Sequence, residues 1–118
     1  VYGEGENIRD WLYVEDHVEA IDIVLHKGEI GETYLIGANN QQKNIDIVYK
    51  LIEITDRLLN RSEGTSKHLI SFVEDRFGHD FRYAIDATKI KDKLRWKPQT
   101  NFEIGLEKTV MHYLKYNF

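Results

Sequence analysis

The chain has 118 residues, which is enough for one domain that buries about two-thirds of its unfolded surface. Its formal net charge is −4, which argues against a general nucleic-acid binder because such a protein carries a basic face. The absence of cysteine excludes a disulfide framework and a thiolate zinc site, and it fits a reducing, cytoplasmic location. No apolar run approaches the roughly 18 residues of a membrane span, so no membrane association is predicted.

The first half of the chain is predicted to contain two helices and little strand. Residues 8–13 have an extended pattern, and helical spacing of apolar residues predicts a helix over Val14–Lys27 that ends at Gly28. A short strand is predicted over Gly31–Ile36, and the clearest helix over Asn44–Asn60. The apolar residues of the first helix, which fall on one side at helical spacing, are Val14, Val18, Ile21, Val24 and Leu25.

The second half is predicted to contain one strand and two more helices. Leu69–Val73 is a strand candidate, and Asp86–Leu94 has the pattern of a short helix with Asp86 as its N-cap. Thr100–Glu103 matches a capping box for a final helix that runs to about Asn117. The predicted inward residues of that helix are Phe102, Leu106, Val110, Tyr113 and Leu114.

This order of elements predicts a mixed α/β lobe with three to four helices and a few short strands. The strands are too few for a complete doubly wound sheet, so we expect the lobe to lean on a larger partner domain. The chain begins at Val1, inside what resembles a motif, and we expect it to be a portion of a longer protein.

The most chemically suggestive residues are Arg76 and His79, which flank Gly78. Glycine permits a sharp bend and close approach to a ligand, and the planar fork of arginine suits phosphate. One interpretation is therefore an anion clamp on a loop at the end of a strand. The structural alternative is a surface loop in which the arginine and the histidine pair with Asp75 and Asp80.

Other candidates also have two interpretations. Tyr2–Gly5 contains a Gly-x-Gly but lacks the third glycine, the strand and the helix of a dinucleotide fingerprint, so a simple turn is expected. Arg9 is either a phosphate contact or a surface arginine packed on Trp11. Asn44 starts the strongest helix, where a capping or first-turn role is compatible with binding a polar ligand. Arg82 is either a third anion contact or a solvated charge.

No catalytic machinery is predicted within the chain. The five histidines have no zincin spacing, and neither a Gly-x-Ser-x-Gly elbow nor a P-loop occurs. No tyrosine is followed four residues later by lysine, which is the spacing that short-chain dehydrogenases use. We therefore predict no metal site and no cofactor-binding residues here.

Several motifs occur together in a fixed order: Val1-Tyr2-Gly3-Glu4-Gly5, Asn7-Ile8-Arg9-Asp10-Trp11-Leu12-Tyr13-Val14-Glu15-Asp16-His17, Gly31-Glu32-Thr33-Tyr34, Asn44-Ile45-Asp46, Asp75-Arg76, Gly78-His79-Asp80, Arg82-Tyr83-Ala84-Ile85-Asp86 and Trp96-Lys97-Pro98. This set resembles the C-terminal portion of the dTDP-glucose 4,6-dehydratase family, a branch of the extended short-chain dehydrogenases/reductases. The resemblance covers nearly all 118 residues.

The resemblance implies a two-domain lyase of deoxysugar biosynthesis that converts dTDP-glucose to dTDP-4-keto-6-deoxyglucose. Residues 1–118 are then the small C-terminal nucleotide-sugar-binding lobe of an extended Rossmann-type enzyme. An N-terminal Rossmann domain, absent from this chain, binds NAD and carries the catalytic residues. The resemblance further implies a homodimeric full-length enzyme and a fragment that is inactive alone.

Five residues are expected to bind the substrate because of this resemblance. Arg9 and Arg76 are expected to contact the diphosphate, and His79 to lie beside the nucleotide. Asn44 is expected to be a polar contact on the nucleotide side, and Tyr2 to line the nucleotide pocket.

Two residues depart from the family pattern. Phe77 stands where the family usually has proline, so the loop loses a fixed φ. Phe81 stands where arginine is frequent, which removes a positive charge near the clamp.

Alternative functions remain open at this point. The chain also fits a portion of another NAD-dependent nucleotide-sugar epimerase, decarboxylase or dehydratase, because most residues that would read the base are not in it. A stand-alone module that binds a phosphorylated ligand, and an inert interaction domain, are the alternatives from other classes.

Overall fold

The computed structural model describes residues 1–116 and is a mixed α/β lobe, as predicted. Its helices are α1 (Val14–Lys27), α2 (Asn44–Leu58), α3 (Thr88–Leu94) and α4 (Phe102–Tyr116), with a 3-10 turn at Thr65–Leu69. Two three-residue strands, β1 (Ile8–Asp10) and β2 (Gln41–Lys43), pair antiparallel with Arg9 opposite Gln42. No helix within the described residues is long and apolar enough to cross a membrane.

The buried core is small and lies between α1 and α3. Its centre consists of Ala20, Ile90 and Trp96, each at most 3% exposed. Tyr34 and Ile36 pack against it from the extended segment that follows α1. Because so few side chains are fully buried, each of them carries a large share of the stability.

The predicted bounds of the first two helices are accurate to within two residues, and Gly28 ends α1 as predicted, but the N-caps predicted for the last two helices are wrong. Ala87 is the N-cap of α3, while the carboxylate of Asp86 accepts the backbone N–H of Thr88 at 2.9 Å. Asn101 caps α4, since its Oδ1 accepts the backbone N–H of Glu103 at 2.9 Å. The side chain of Asn101 therefore caps this helix, in place of the predicted Thr100.

The threonine of the predicted capping box has another role. The N–H and the hydroxyl of Thr100 both donate to the carboxylate of Asp16 in α1, at 2.9 and 3.1 Å. This contact joins the start of α4 to α1, a long-range use of the side chain that a local motif cannot reveal. The predicted helix end near Asn117 lies outside the described residues.

Both remaining strand predictions are wrong. Gly31–Ile36 pairs with no strand among residues 1–116, although it is extended and places Tyr34 and Ile36 inward and Leu35 outward. Leu69–Val73 begins in a 3-10 turn and contributes only a single parallel bridge, between Val73 and Tyr2. Strand-forming residues are present in both places, but a strand also requires a partner.

The apolar side of α1 faces outward. Helix α3 packs on the opposite side, where Asp16 and Ala20 are buried, so most of the apolar side predicted from the sequence is left uncovered within the described residues. Only Val24 of the predicted set contacts the core. We call the exposed set Val14, Val18, Ile21 and Leu25, which are 53–77% exposed, the α1 face. Tyr113 of α4, which was predicted to point inward, is 58% exposed.

We expect the isolated chain to associate with itself through the α1 face, because contiguous exposed apolar side chains favour association. Replacing Val18 and Ile21 together by lysine should convert the aggregates to monomer, as seen by light scattering. Ile104→Lys and Met111→Lys provide the control, since these residues on α4 have similar exposure. A wild-type chain that is monomeric at high concentration would contradict this expectation.

Asp56 predicts a pH dependence of stability. This 1% exposed residue of α2 accepts the hydroxyl of Ser66 at 2.6 Å and its backbone N–H at 3.1 Å. The hydrogen bond from the Ser66 side chain, followed by the backbone bond, outweighs burial and lowers the pKa of Asp56. The stabilisation is therefore complete above the unfolded pKa of about 3.9, and it is lost as the pH falls through the lowered folded value.

Urea unfolding of Asp56→Asn in the Val18→Lys, Ile21→Lys background tests this dependence. The difference in unfolding free energy from the parent should be largest near neutral pH and should shrink as the medium is acidified. Asp92→Asn, at an exposed position on α3, provides the control. A difference that stays constant between pH 7 and pH 2 would contradict the proposed ionic role.

Candidate functional site

Two distant segments of the chain meet beside β1. Residues 81–83 run parallel to this strand, with the N–H of Ile8 donating to the carbonyl of Phe81 at 2.8 Å and the N–H of Tyr83 donating to the carbonyl of Ile8 at 3.1 Å. This pairing places Arg9 against the predicted Arg/His loop.

Arg9 is held in place by neutral acceptors. Its guanidinium donates to the carbonyl oxygens of Ile8 at 2.7 Å and Asp80 at 2.9 Å, and to Nε2 of His79 at 2.9 Å. The group also lies over the Tyr83 ring, with Cζ 4.6 Å from the ring centroid. Arg9 therefore packs on Tyr83 rather than on Trp11, the partner that its sequence neighbourhood indicated.

His79 is fixed from both sides. Nδ1 donates to Oδ1 of Asp75 at 2.6 Å, and Nε2 accepts from Arg9, so these partners assign the neutral tautomer with the proton on Nδ1. The same hydrogen bond from His79, with help from the Arg76 backbone N–H, lowers the pKa of Asp75. Of the pairing that the structural alternative predicted, the bond between His79 and Asp75 is confirmed.

Arg76 and Tyr2 complete the cluster. Cζ of Arg76 lies 4.9 Å from the centroid of the Tyr2 ring, and that ring meets His79 edge-on at 6.2 Å. A tight turn forms the loop, in which the N–H of His79 donates to the carbonyl of Arg76 at 3.1 Å and Gly78 has a φ of 69°. The glycine therefore supplies the left-handed conformation that the bend requires.

Phe77 and Phe81, the two residues that depart from the pattern of the resembled family, lie at the rim of this cluster. Phe77 is fully exposed at the tip of the turn, and Phe81 is 61% exposed. The backbone of Phe81 is nevertheless pinned to β1 through its carbonyl. Neither substitution displaces Arg9, Arg76 or His79 from the cluster.

Asn44 is the one predicted site residue that stands apart. It is the first residue of α2, after the N-cap Lys43, so its predicted first-turn role is correct and the capping role is not. Asn7 links it to the cluster. The carbonyl of Asn7 accepts the N–H of Asn44 at 3.0 Å, and its side-chain amide donates to the carbonyl of Asp80 at 3.4 Å.

Sequence reasoning missed Tyr83 and Asn7. The Tyr83 hydroxyl donates to the carboxylate of Asp80, and this bond, together with the charge of Asp80, raises the pKa of Tyr83. Arg82, for which a third anion contact and a solvated charge were the alternatives, donates to Gln41 of β2 at 2.8 Å. Only the long-range pairing of residues 81–83 with β1 could have revealed these contacts.

The resulting surface can bind an anion but has no evident catalytic group. Within residues 1–116, neither Arg9 nor Arg76 forms an ion pair with a carboxylate, so both guanidinium charges remain available to a ligand. The same residues contain no cluster of three histidine or acidic side chains that would hold a metal ion.

The Gly-x-Gly near the start does not fit a dinucleotide. A Cβ on Gly5 would lie 2.8 Å from Cβ of Ile45 and 2.9 Å from a methyl group of Val1, so the chain itself fills the space beside this glycine. Its φ of 75° belongs to a turn that also packs against α2. The simple turn predicted for Tyr2–Gly5 is thus confirmed, with the N–H of Gly5 donating to the carbonyl of Tyr2 at 3.0 Å.

These features define a small α/β lobe in which two arginines from distant parts of the chain lie beside one histidine. The model of the GDP-mannose 4,6-dehydratase family matches residues 1–109, and the chain belongs to this family. It is a member of the extended short-chain dehydrogenases/reductases, with homologues that are dTDP-glucose 4,6-dehydratases.

Three relatives show how far the similarity extends. A dTDP-glucose 4,6-dehydratase of Escherichia coli is 51% identical over 114 residues, which are 97% of this chain and 31% of the relative. The dTDP-glucose 4,6-dehydratase of Bacillus anthracis in complex with NAD is 47% identical, with a TM-score of 0.80 over 98% of this chain and 34% of that one. UDP-glucose 4-epimerase of Thermotoga maritima with UDP-glucose is 30% identical, with a TM-score of 0.82 over the whole of this chain and 35% of that one. The chain thus spans about a third of the length of these relatives.

Proposed function

We propose that this chain is the nucleotide-sugar-binding portion of a dTDP-glucose 4,6-dehydratase. In this proposal Arg9 and Arg76 hold the diphosphate of dTDP-glucose. His79 and Tyr2 lie beside the nucleotide, and Asn44 is a polar contact from the start of α2. The observation that carries the proposal is the meeting of the two arginines around His79, although they come from distant parts of the sequence.

The chemistry of these two arginines fits a diphosphate. Arg9 now donates to carbonyl oxygens and an imidazole, which are neutral acceptors and weaker partners than a phosphate oxygen. Arg76 lies on the face of Tyr2, which orients the guanidinium without neutralising its charge. A bound diphosphate would gain charge-assisted hydrogen bonds from both groups at little cost in lost ion pairs.

The proposed role in the reaction is positioning. NAD, bound by another domain, supplies the hydride chemistry that converts dTDP-glucose to dTDP-4-keto-6-deoxyglucose. The residues described above fix the diphosphate and thereby the attached sugar, and binding energy from a remote part of a substrate supports the chemical step. His79, with its proton on Nδ1 and directed to Asp75, presents Nε2 to Arg9 and so helps to orient the guanidinium.

The need for a second domain is supported by two unpartnered surfaces. The α1 face is exposed, and so is Leu35 on the outer side of the unpaired extended segment. A helix followed by a segment whose side chains alternate inward and outward has the order of the second half of a βαβ unit, whose strand joins a parallel sheet. A Rossmann domain of a full-length enzyme would provide such a sheet. We propose a homodimer of that enzyme, in the cytoplasm, as the resemblance implies.

The second candidate is a UDP-sugar epimerase, supported by the similarity to the Thermotoga enzyme. The higher identity to the E. coli dehydratase favours the first proposal. The two candidates differ in their nucleotide, so competition between dTDP and UDP distinguishes them.

A hybrid enzyme tests the proposed function. It joins Val1 of this chain to the part of the E. coli dehydratase that precedes its matching region. We expect the hybrid to convert dTDP-glucose to the 4-keto-6-deoxy product. We expect the 118-residue chain alone to be inactive, because the NAD site and the catalytic residues of the proposed enzyme belong to its other domain.

Two controls make the turnover assay decisive. The E. coli portion without this chain should be inactive, which shows that the chain is required. Supplying UDP-glucose instead of dTDP-glucose tests the epimerase alternative. A folded hybrid that binds neither dTDP nor dTDP-glucose would contradict the proposed function, as would turnover by the isolated chain.

A further inference from the structure

The carboxylate of Asp10 is enclosed by three successive backbone amides. Its Oδ2 accepts the N–H groups of Ala38 and Asn39, each at 3.1 Å, and its Oδ1 accepts the N–H of Asn40 at 2.8 Å. Consecutive amides of this kind form an anion-binding nest, which here holds a carboxylate of the same chain. A Cβ on Gly37 would lie 2.5 Å from Oδ2 of Asp10, so the glycine allows this close approach.

These three hydrogen bonds, which we call the Asp10 grip, lie at one end of the β1–β2 pair, where the pairing itself is weak. Strands β1 and β2 have only three residues each, and an isolated two-stranded pair is marginally stable in water. Asp10 is the last residue of β1 and stands opposite Gln41, the first residue of β2. By holding residues 38–40 it determines where β2 begins, and a shift of one residue would turn every side chain of β2 to the other side.

Two proposed ligand contacts adjoin that ladder. Arg9 immediately precedes Asp10 in β1, and Asn44 immediately follows β2. The N–H of Asn44 meets the carbonyl of Asn7 at the far end of the same ladder. Gln41, which anchors Arg82 of the adjoining segment, also belongs to β2.

We propose that Asp10 is a positioning residue of the binding site, whose grip on residues 38–40 sets the β1–β2 register and thereby places Arg9 and Asn44 on one ligand. This inference rests on the proposed function, because it takes that ligand to be a nucleotide diphosphate. Asp10 itself does not contact the ligand, since its carboxylate is occupied by the three amides.

The test is calorimetric titration of dTDP and thymidine into the hybrid enzyme carrying Asp10→Asn. An asparagine keeps the shape but replaces one of the two acceptor oxygens by an N–H₂ group and removes the negative charge, so the grip is weakened. We expect the Kd for dTDP to rise about tenfold, a typical effect of a lost charge-assisted hydrogen bond, while thymidine binding changes little. Asp16→Asn is the matched control, because Asp16 also accepts a backbone N–H but lies outside the ladder; it should leave dTDP binding unchanged.

A double-mutant cycle separates positioning from general damage. If Asp10 acts through Arg9 and Asn44, then Asp10→Asn should cost little further affinity in an Arg9→Ala, Asn44→Ala background. An unchanged Kd for dTDP in Asp10→Asn, or an undiminished loss in that background, would overturn the inference while leaving the proposed function in place. If instead Arg9→Ala and Arg76→Ala do not weaken dTDP binding, the proposed function itself fails.

Discussion

Replacing either Arg9 or Arg76 by alanine in the hybrid enzyme should weaken dTDP binding ten- to a hundredfold. A hydrogen bond to a charged group contributes roughly 1.5–3 kcal/mol, and about 1.4 kcal/mol corresponds to a factor of ten in Kd. The loss should be similar for dTDP and dTDP-glucose, because the contact is to phosphate and not to the reacting sugar. NAD affinity should stay the same. Calorimetric titration measures all three ligands.

Thymidine is the ligand control for this experiment, since it lacks the diphosphate. Its binding should barely respond to either substitution. Arg57→Ala is the matched protein control, because Arg57 pairs with Glu107 at 2.9 Å on the surface of α2 and α4. Equal losses for thymidine and dTDP would indicate a disturbed fold and would remove the assignment of the two arginines.

Ile90→Ala should produce the largest loss of stability, about 2–5 kcal/mol in the free energy of unfolding. Ile90 is 0% exposed and packs with Ala20 and Trp96 in a core that has few other fully buried members. Truncation therefore leaves a cavity between α1 and α3 that the surrounding backbone cannot readily fill. Urea denaturation in the Val18→Lys, Ile21→Lys background measures the change.

Ile104→Ala supplies the comparison, because Ile104 of α4 is 56% exposed and loses few contacts on truncation. Its effect should remain within about 0.5 kcal/mol, the range of ordinary surface substitutions. Similar effects at both positions would mean that the α1–α3 core does not dominate the stability of the lobe.

Local patterns predicted the helices well because helix formation depends on neighbours in sequence. The bounds of α1 were predicted correctly, and those of α2 to within two residues. The direction of α1 was not predicted, because an amphipathic helix shows which side is apolar and not which surface covers it. Gly31–Ile36 was wrongly predicted as a strand for the same reason, since its apolar alternation does not provide a pairing partner.

The candidate site was partly predictable. The bend between Arg76 and His79 was predictable because glycine permits a sharp turn, and the structure has that turn at Gly78. Arg9 was recognised through its motif and not through any local pattern. The roles of Tyr83 and Asn7 were not predicted, because they arise from the pairing of β1 with a segment some seventy residues away.

A crystal structure of the hybrid enzyme with dTDP tests the central claim most directly. The account predicts that the guanidinium groups of Arg9 and Arg76 both lie within hydrogen-bonding distance of the diphosphate, about 2.7–2.9 Å, with His79 beside the nucleotide. Arg9 should then give up at least one of its present neutral acceptors for a phosphate oxygen. A diphosphate bound elsewhere, with both arginines still on their ligand-free partners, would contradict the account.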